Sequence, residues 1–204
     1  MGTKIKICGM RDPDNIRAVM RYHPDYLGFI FYPASKRYVH ELDRELLNSL
    51  EDVKRTAVFV NADLTTVKRA LSTYGFEAVQ LHGDESPDFC KEIQDEGVEV
   101  IKAFGIHPAF QWDVLEEYED MVDYFLFDTQ TPIYGGAGKT FDWSMLQNYP
   151  LEKPYFLSGG ISPDNFESAY GLSDERLYGL DLNSRFELSP GIKDINLLNT
   201  VLNK

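Results

Sequence analysis

A single-domain (β/α)8 barrel is the fold the sequence predicts, and three observations predict it. Short apolar, β-rich runs alternate with longer polar segments of helical period, and the alternation recurs eight times. Most of these runs are nearly continuous in apolar residues, as parallel strands covered on both faces are. Spread over eight units, the 204 residues leave about 25 for each strand-helix pair, and no Pro/Gly/Ser-rich linker marks off a second domain. The span 1–204 is then one barrel, close to the short end of the roughly 200 to 400 residues such barrels occupy. An open doubly wound sheet is the lesser alternative.

Taken in order, residues 4–8 form the first strand. Asp12-Pro13 then places an N-cap oxygen before a proline at the first helical position, where the missing N–H costs nothing. Residues 26–31 and 55–60 are the second and third strands. Asp63 starts a helix with Leu64, Val67, Leu71 and Tyr74 on one stripe and Lys68 and Arg69 off it, a core stripe rather than a cofactor box. Residues 78–82 are the fourth strand, followed by a helix start at Ser86-Pro87, and 98–104 the fifth, followed by one at His107-Pro108. Residues 124–128, 155–158 and 177–182 complete the set, with helix starts at Asp142, Ser162-Pro163 and Asp194.

Composition narrows the function. With 20 Lys+Arg against 33 Asp+Glu the net charge is −13, and no run of Lys or Arg exceeds two residues, so nucleic acid is not the expected partner. The longest apolar stretch, residues 26–32 counting Gly28, is far short of the roughly 20 residues a membrane helix needs, so no membrane partner is expected either. The opening MGTKIKICGM lacks the apolar core of a secretory signal, which makes the cytoplasm the expected location. Cys8 and Cys90 stand 82 positions apart, too few and too separated for a CxxC motif or a cysteine zinc site, and both are expected as free thiols.

In such a barrel the chemistry sits at the C-terminal ends of the strands and in the loops that follow them. That rule selects Cys8-Gly9, Phe31-Tyr32, Asn61, His82-Gly83, Phe104-Gly105, Asp128-Thr129, Gly159-Gly160 and residues 181–185. A lone strand cysteine is ordinarily a small buried hydrophobe, but Cys8 stands at a strand end beside a glycine. A thiol with a reference pKa of about 8.5 is a few per cent thiolate at neutral pH, a usable base or nucleophile. Cys90, mid-helix, reads as structural. Asp128 closes the apolar run Phe125-Leu126-Phe127, surroundings that suit a proton donor, although a plain loop cap fits the sequence equally well. His82 is the one histidine at a strand end, either a structural imidazole or a direct participant. No histidine stands as a clear partner for a nucleophilic cysteine, so a thiol and a carboxyl group at two strand ends suggest proton shuttling.

The stretch GGAGKTF, residues 135–141, fails as a P-loop because Ile133 stands where its first glycine belongs. It reads better as an active-site cover carrying Lys139. Loops seven and eight, with Gly159 and Gly160 in one and Asp181, Asn183, Ser184 and Arg185 in the other, have the character of a phosphate cradle. A phosphorylated small molecule is the expected ligand.

The motifs KICGM, GFIFYPASKRYV, VFVN, QLHGDE, FDT, GGAGKTFDW, LSGGISPDN and GLDLNSRFELSPGIKD run in order along nearly the whole chain, and together they resemble the phosphoribosylanthranilate isomerase family. The resemblance implies an Amadori rearrangement in tryptophan biosynthesis, from N-(5-phosphoribosyl)anthranilate to 1-(2-carboxyphenylamino)-1-deoxyribulose 5-phosphate, without metal or organic cofactor. It also implies Asp128 as general acid on the ribose ring oxygen, Cys8 as general base at C2, and Arg37, by itself a solvated surface charge, as holder of the anthranilate carboxylate. Lys6, Arg37, Lys139, Arg185 and the loop amides are then expected to form a positive mouth on a negative globule. Two positions depart from the family pattern: Arg185 follows Ser184 where glycine is common, and Ala137 stands where threonine is usual. The alternatives are another phosphosugar-processing barrel enzyme, which would call for catalytic lysines or several His/Asp metal ligands at strand ends, and a non-catalytic phosphate-binding barrel, which would not need Cys8 or Asp128.

Overall fold

Successive side chains of a strand point to opposite faces, and in β1 (Lys4–Cys8) that rule divides KIKIC cleanly. Ile5 and Ile7 join the large outer core, while Lys4, Lys6 and Cys8 take the other face. In β2 (Tyr26–Ile30), Leu27 and Phe29 pack outward and Tyr26 and Ile30 inward. The same division continues through β3 (Lys54–Phe59), β4 (Ala78–Leu81), β5 (Glu99–Ile106), β6 (Tyr124–Thr129), β7 (Tyr155–Leu157) and β8 (Leu177–Leu182). The structure, a computed structural model, describes residues 2–130 and 140–203.

Each strand pairs in parallel with its predecessor, and β8 returns to β1 with Asp181 opposite Lys6, closing a (β/α)8 barrel. The interior is filled in layers. Tyr26, Ala78, Ile101, Ala103, Leu126 and Phe156 plug one end, with Tyr26 and Phe156 meeting edge to face at 5.2 Å between centroids. The Tyr26 hydroxyl there donates to Glu99 at 2.8 Å. Toward the C-terminal end the inward positions turn polar, with Lys6, Gln80, Ser158 and Asp181 all buried. The fold therefore sends its polar side chains to one mouth.

The helix starts follow the N-cap rule in most units. Asp12 caps α1 (Pro13–Val19) by accepting from the Asn15 N–H, Asp63 caps α3 (Leu64–Tyr74) through Thr66, Ser86 caps α4 (Pro87–Gln94) through Phe89, and Asp194 caps the last helix. A helix after the second strand, α2 (Arg44–Asn48), is capped by Asp43, a start the sequence reading did not pick out. Two expected starts move. After His107-Pro108 the chain turns first and coils only from Trp112 to Tyr118, as a 3₁₀ segment. After Ser162-Pro163 it makes a turn, because the Ser162 N–H donates to the Asn165 side chain at 2.8 Å; α5 (Phe166–Tyr170) begins beyond it. Asp142 caps a 3₁₀ segment, Trp143–Asn148. Between β8 and α6 (Ile195–Leu202) lies an unexpected hairpin, β9 (Glu187–Ser189) and β10 (Ile192–Lys193), whose Glu187 and Lys193 bond to Arg37 and Asn183.

Candidate active site

Cys8 ends β1 directly opposite Gly28 of β2. A Cβ on Gly28 would stand 2.6 Å from the Cys8 sulfur, so the missing side chain makes the space in which the thiol sits. Cys8 is 3% exposed and lines a cavity at the C-terminal mouth. Across it, Asp128 near the end of β6 lines the same cavity, its Oδ1 accepting from the Thr129 N–H at 2.7 Å. Gly159 packs against this carboxylate, since a Cβ there would lie 2.7 Å from Oδ1. His82 completes the rim, with Nε2 at 3.3 Å from Asp128 Oδ2 and Nδ1 at 2.7 Å from the Gln80 amide nitrogen. With the amide donating, Nδ1 accepts and the ring hydrogen lies on Nε2, facing the carboxylate.

The electrostatics of the thiol differ from the sequence expectation. Burial pushes the Cys8 pKa up, and Lys6 and Lys193, which pull it down, do not fully offset that. The thiolate that a base requires is therefore harder to form here than in a free cysteine. Lys6 is itself wholly buried and does not line the cavity; its Nζ donates to Asp181 Oδ1 at 2.8 Å. Burial works against the Lys6 ammonium, but Asp181 and Cys8 outweigh it and its pKa ends above the ordinary lysine value.

The expected positive mouth is corrected in the same way. Lys6 is neutralised by Asp181, while Arg37, which does line the cavity, shares the single carboxylate of Glu187 with Lys193. Arg185 is exposed and is not part of the cavity wall, because the 3₁₀ turn Ser184–Phe186 sends Phe186 inward and Arg185 out. Lys139 lies outside the described residues. Beside Arg37 the wall offers an anion the backbone of Gly159 at φ +84° and Gly160 at φ +69°, conformations suited to glycine, with Asn183 and Ser184 lining the same cavity. Asp181 also lines it, accepting from Ser158 Oγ at 3.3 Å.

Ile30, Tyr32, Val58 and Val60 give the cavity an apolar side next to Arg37. Sequence reasoning passed over Glu187, Lys193, Gln80 and Ser158. Ser158 and Gln80 carry a usable signal, a polar residue at an inward position near a strand end, whereas Glu187 and Lys193 lie in a hairpin no periodicity announces.

A closed parallel barrel with a thiol, a carboxyl group and an imidazole around one cavity at its C-terminal mouth defines a barrel enzyme. A sequence-family profile described as N-(5'phosphoribosyl)anthranilate (PRA) isomerase matches residues 5–204, and the chain belongs to that family. The N-(5'-phosphoribosyl)anthranilate isomerase of Parabacteroides distasonis is 46% identical over 197 residues, covering 95% of this chain and 89% of that protein. The crystal structure of phosphoribosyl anthranilate isomerase from Thermotoga maritima superposes with a TM-score of 0.85 at 34% identity, over 98% of this chain and 97% of that one. A phosphoribosyl anthranilate isomerase in complex with reduced 1-(o-carboxyphenylamino)-1-deoxyribulose 5-phosphate gives a TM-score of 0.84 at 31% identity over the same shares.

Proposed function

We propose that this chain rearranges N-(5-phosphoribosyl)anthranilate to 1-(2-carboxyphenylamino)-1-deoxyribulose 5-phosphate, an aldose-ketose isomerisation of tryptophan biosynthesis, with Asp128 as acid and Cys8 as base. The observation that carries the assignment of roles is that these two groups, brought from β6 and β1, line one cavity together with the glycine pair of the seventh loop. Family membership supports the reaction itself.

In this reading the phosphate lies against the Gly159–Gly160 backbone and the Asn183–Ser184 turn, the anthranilate ring lies on Ile30, Val58 and Val60, and its carboxylate meets Arg37. The Asp128 proton passes to the ribose ring oxygen as the C1–O bond breaks, leaving a Schiff base between C1 and the anthranilate nitrogen. Cys8, once its thiol proton has passed to solvent through the cavity, takes the C2 proton as the thiolate, giving an enolamine that tautomerises to the ketone. Because burial disfavours the thiolate, Lys6 and Lys193 serve to hold the sulfur's negative charge when it forms. His82, its ring hydrogen turned toward Asp128, keeps that carboxyl group oriented.

The test is to supply phosphoribosylanthranilate to purified protein without metal and follow its disappearance. Wild type is expected to consume it, and Cys8→Ala and Asp128→Ala to lose at least ~100-fold, the usual worth of a general acid or base. Equal rates for wild type and the double variant would remove both assignments.

A further inference from the structure

The hairpin between β8 and α6 holds a carboxylate to which the mechanism above gives no task. Glu187, the first residue of β9, has a side chain only 4% exposed, yet four donors converge on it. Arg37 Nε reaches its two oxygens at 2.9 and 3.0 Å and Arg37 Nη2 reaches Oε2 at 2.6 Å. Lys193 Nζ donates at 2.7 Å and the Gly191 N–H at 3.1 Å. Gly191 sits at φ +88°, a turn suited to glycine that folds its amide back onto the carboxylate. The opposite side of Arg37 is fixed too, for its stem lies so close over Gly9 that a Cβ there would come within 2.6 Å of Cδ.

Two features separate this cluster from a simple hairpin clasp. The first is geometry: Glu187 takes one edge of the guanidinium, Nε and Nη2, so a long side chain at the cavity wall is held in one place with Nη1 not engaged by that carboxylate. The second is charge. One carboxylate faces two cations, leaving the trio with a single positive charge, and Lys193 also donates to Asn183 of the cavity wall at 2.8 Å. Lys6, by contrast, is matched one to one by Asp181. A cluster with one unmatched positive charge at a cavity edge is completed by an anion from the ligand.

We propose that Glu187 is a positioning residue for the carboxylate of the substrate: it aims Arg37 at that group while leaving one positive charge of the cluster to receive it. The inference rests on the reading of Arg37 as the carboxylate holder. Glu187 acts through Arg37 and does not touch the reacting atoms.

The experiment is a double-mutant cycle on kcat and KM for N-(5-phosphoribosyl)anthranilate with Glu187→Gln, Arg37→Ala and the two combined, each accompanied by a thermal melt. Glu187→Gln is expected to raise KM about tenfold or more, as loss of a partner in a buried charged pair does, with a smaller change in kcat. In the Arg37→Ala background the same substitution is expected to add nothing to KM, and Glu187→Asp, which keeps the charge one methylene further back, to recover part of the loss. Additive KM effects, or a lowered Tm with KM unchanged, overturn the proposal. If Glu187→Gln does not fold, Glu187→Asp takes its place in the cycle under the same criteria. Absence of turnover by wild type counts against the isomerase reading, whereas turnover by wild type with an unaltered KM in Glu187→Gln counts against Glu187 alone.

Discussion

Lys6 and Asp181 form a buried ion pair, 2.8 Å between Nζ and Oδ1 at 0% and 5% side-chain exposure, one step down the strand face from Cys8. The pair ties β1 to β8 at the seam where the barrel closes. Removing only the cation, as Lys6→Met, leaves Asp181 buried without compensation, which costs about 3–5 kcal/mol. Urea unfolding at neutral pH measures this, and a loss below about 1 kcal/mol would show that the pair carries no such weight.

The same substitution reaches the thiol. Burial raises the Cys8 pKa, Lys6 and Lys193 lower it and Asp181 raises it, so Lys6→Met removes one of the two cations that favour the thiolate. A base works in its deprotonated form, and the acidic limb of kcat/KM is therefore expected to move to higher pH in Lys6→Met. Stability carries the opposite sign: folded Cys8 holds its proton more tightly than the unfolded chain, so its contribution is present below about pH 8.5 and is lost as pH rises through the folded value. An acidic limb that stays where it is in the variant would disconnect Lys6 from the thiol.

Gly159 combines a left-handed backbone with contact against Asp128. Its φ is +84°, and an added Cβ would lie 2.5 Å from the Thr129 nitrogen and 2.7 Å from Asp128 Oδ1. Gly159→Ala must displace either the seventh loop or the carboxylate, both of which line the cavity. A drop in kcat/KM of at least ~100-fold is expected with a stability loss of only ~1–3 kcal/mol, the scale of local backbone strain. Activity within a factor of two of wild type would mean that the loop is free to shift.

The two cysteines should differ chemically although both are free and buried. Cys90 lies on α4 at 0% exposure, and burial pushes its pKa up to about 12. Cys8 is nearly as buried but opens onto the cavity. Iodoacetamide at pH 8.5 followed by peptide mapping is expected to mark Cys8 and spare Cys90 in the folded protein, with both marked in urea. Equal labelling without denaturant would show that α4 opens readily.

Much of this architecture is legible in the sequence because it depends on local rules. Continuous apolar runs gave the barrel strands to within two residues at each end, and Asp12, Asp63, Ser86 and Asp194 cap the helices they were expected to start. Cys8, Asp128, His82, Gly159 and Gly160 emerged from the strand-end rule and do line one cavity. Two cations of the expected mouth lie elsewhere: strand parity buries Lys6 against Asp181, and the 3₁₀ turn points Arg185 outward. Glu187 and Lys193 reach Arg37 and Asn183 of the cavity wall from a hairpin, and the first of these contacts spans 150 positions of sequence.

The best isolated test of pH-dependent stability lies away from the mouth, at Asp174 and Arg176. Arg176 donates to Asp174 through Nε and Nη2, both at 2.9 Å, and to the Tyr149 and Leu151 carbonyls at 2.8 and 3.1 Å, while its guanidinium lies 4.7 Å from the Tyr149 ring centroid. The Arg176 hydrogen bonds, foremost among several causes, hold the Asp174 carboxyl below its ordinary pKa. A carboxylate depressed in the folded state contributes stability above its unfolded pKa of about 3.9, and that contribution is lost as pH falls through the folded value. Arg176→Met removes the partner and leaves the Tyr149, Leu151 and Leu146 carbonyls short of a donor, so a loss of about 2–3 kcal/mol is expected at pH 7. The gap between wild type and variant should narrow below about pH 3.9, where wild type begins to surrender the ion pair as well. Urea unfolding at pH 7 and at pH 3.5 measures both differences; a gap of equal size at the two pH values would assign the effect to packing on Tyr149 and the carbonyl bonds rather than to the charge on Asp174.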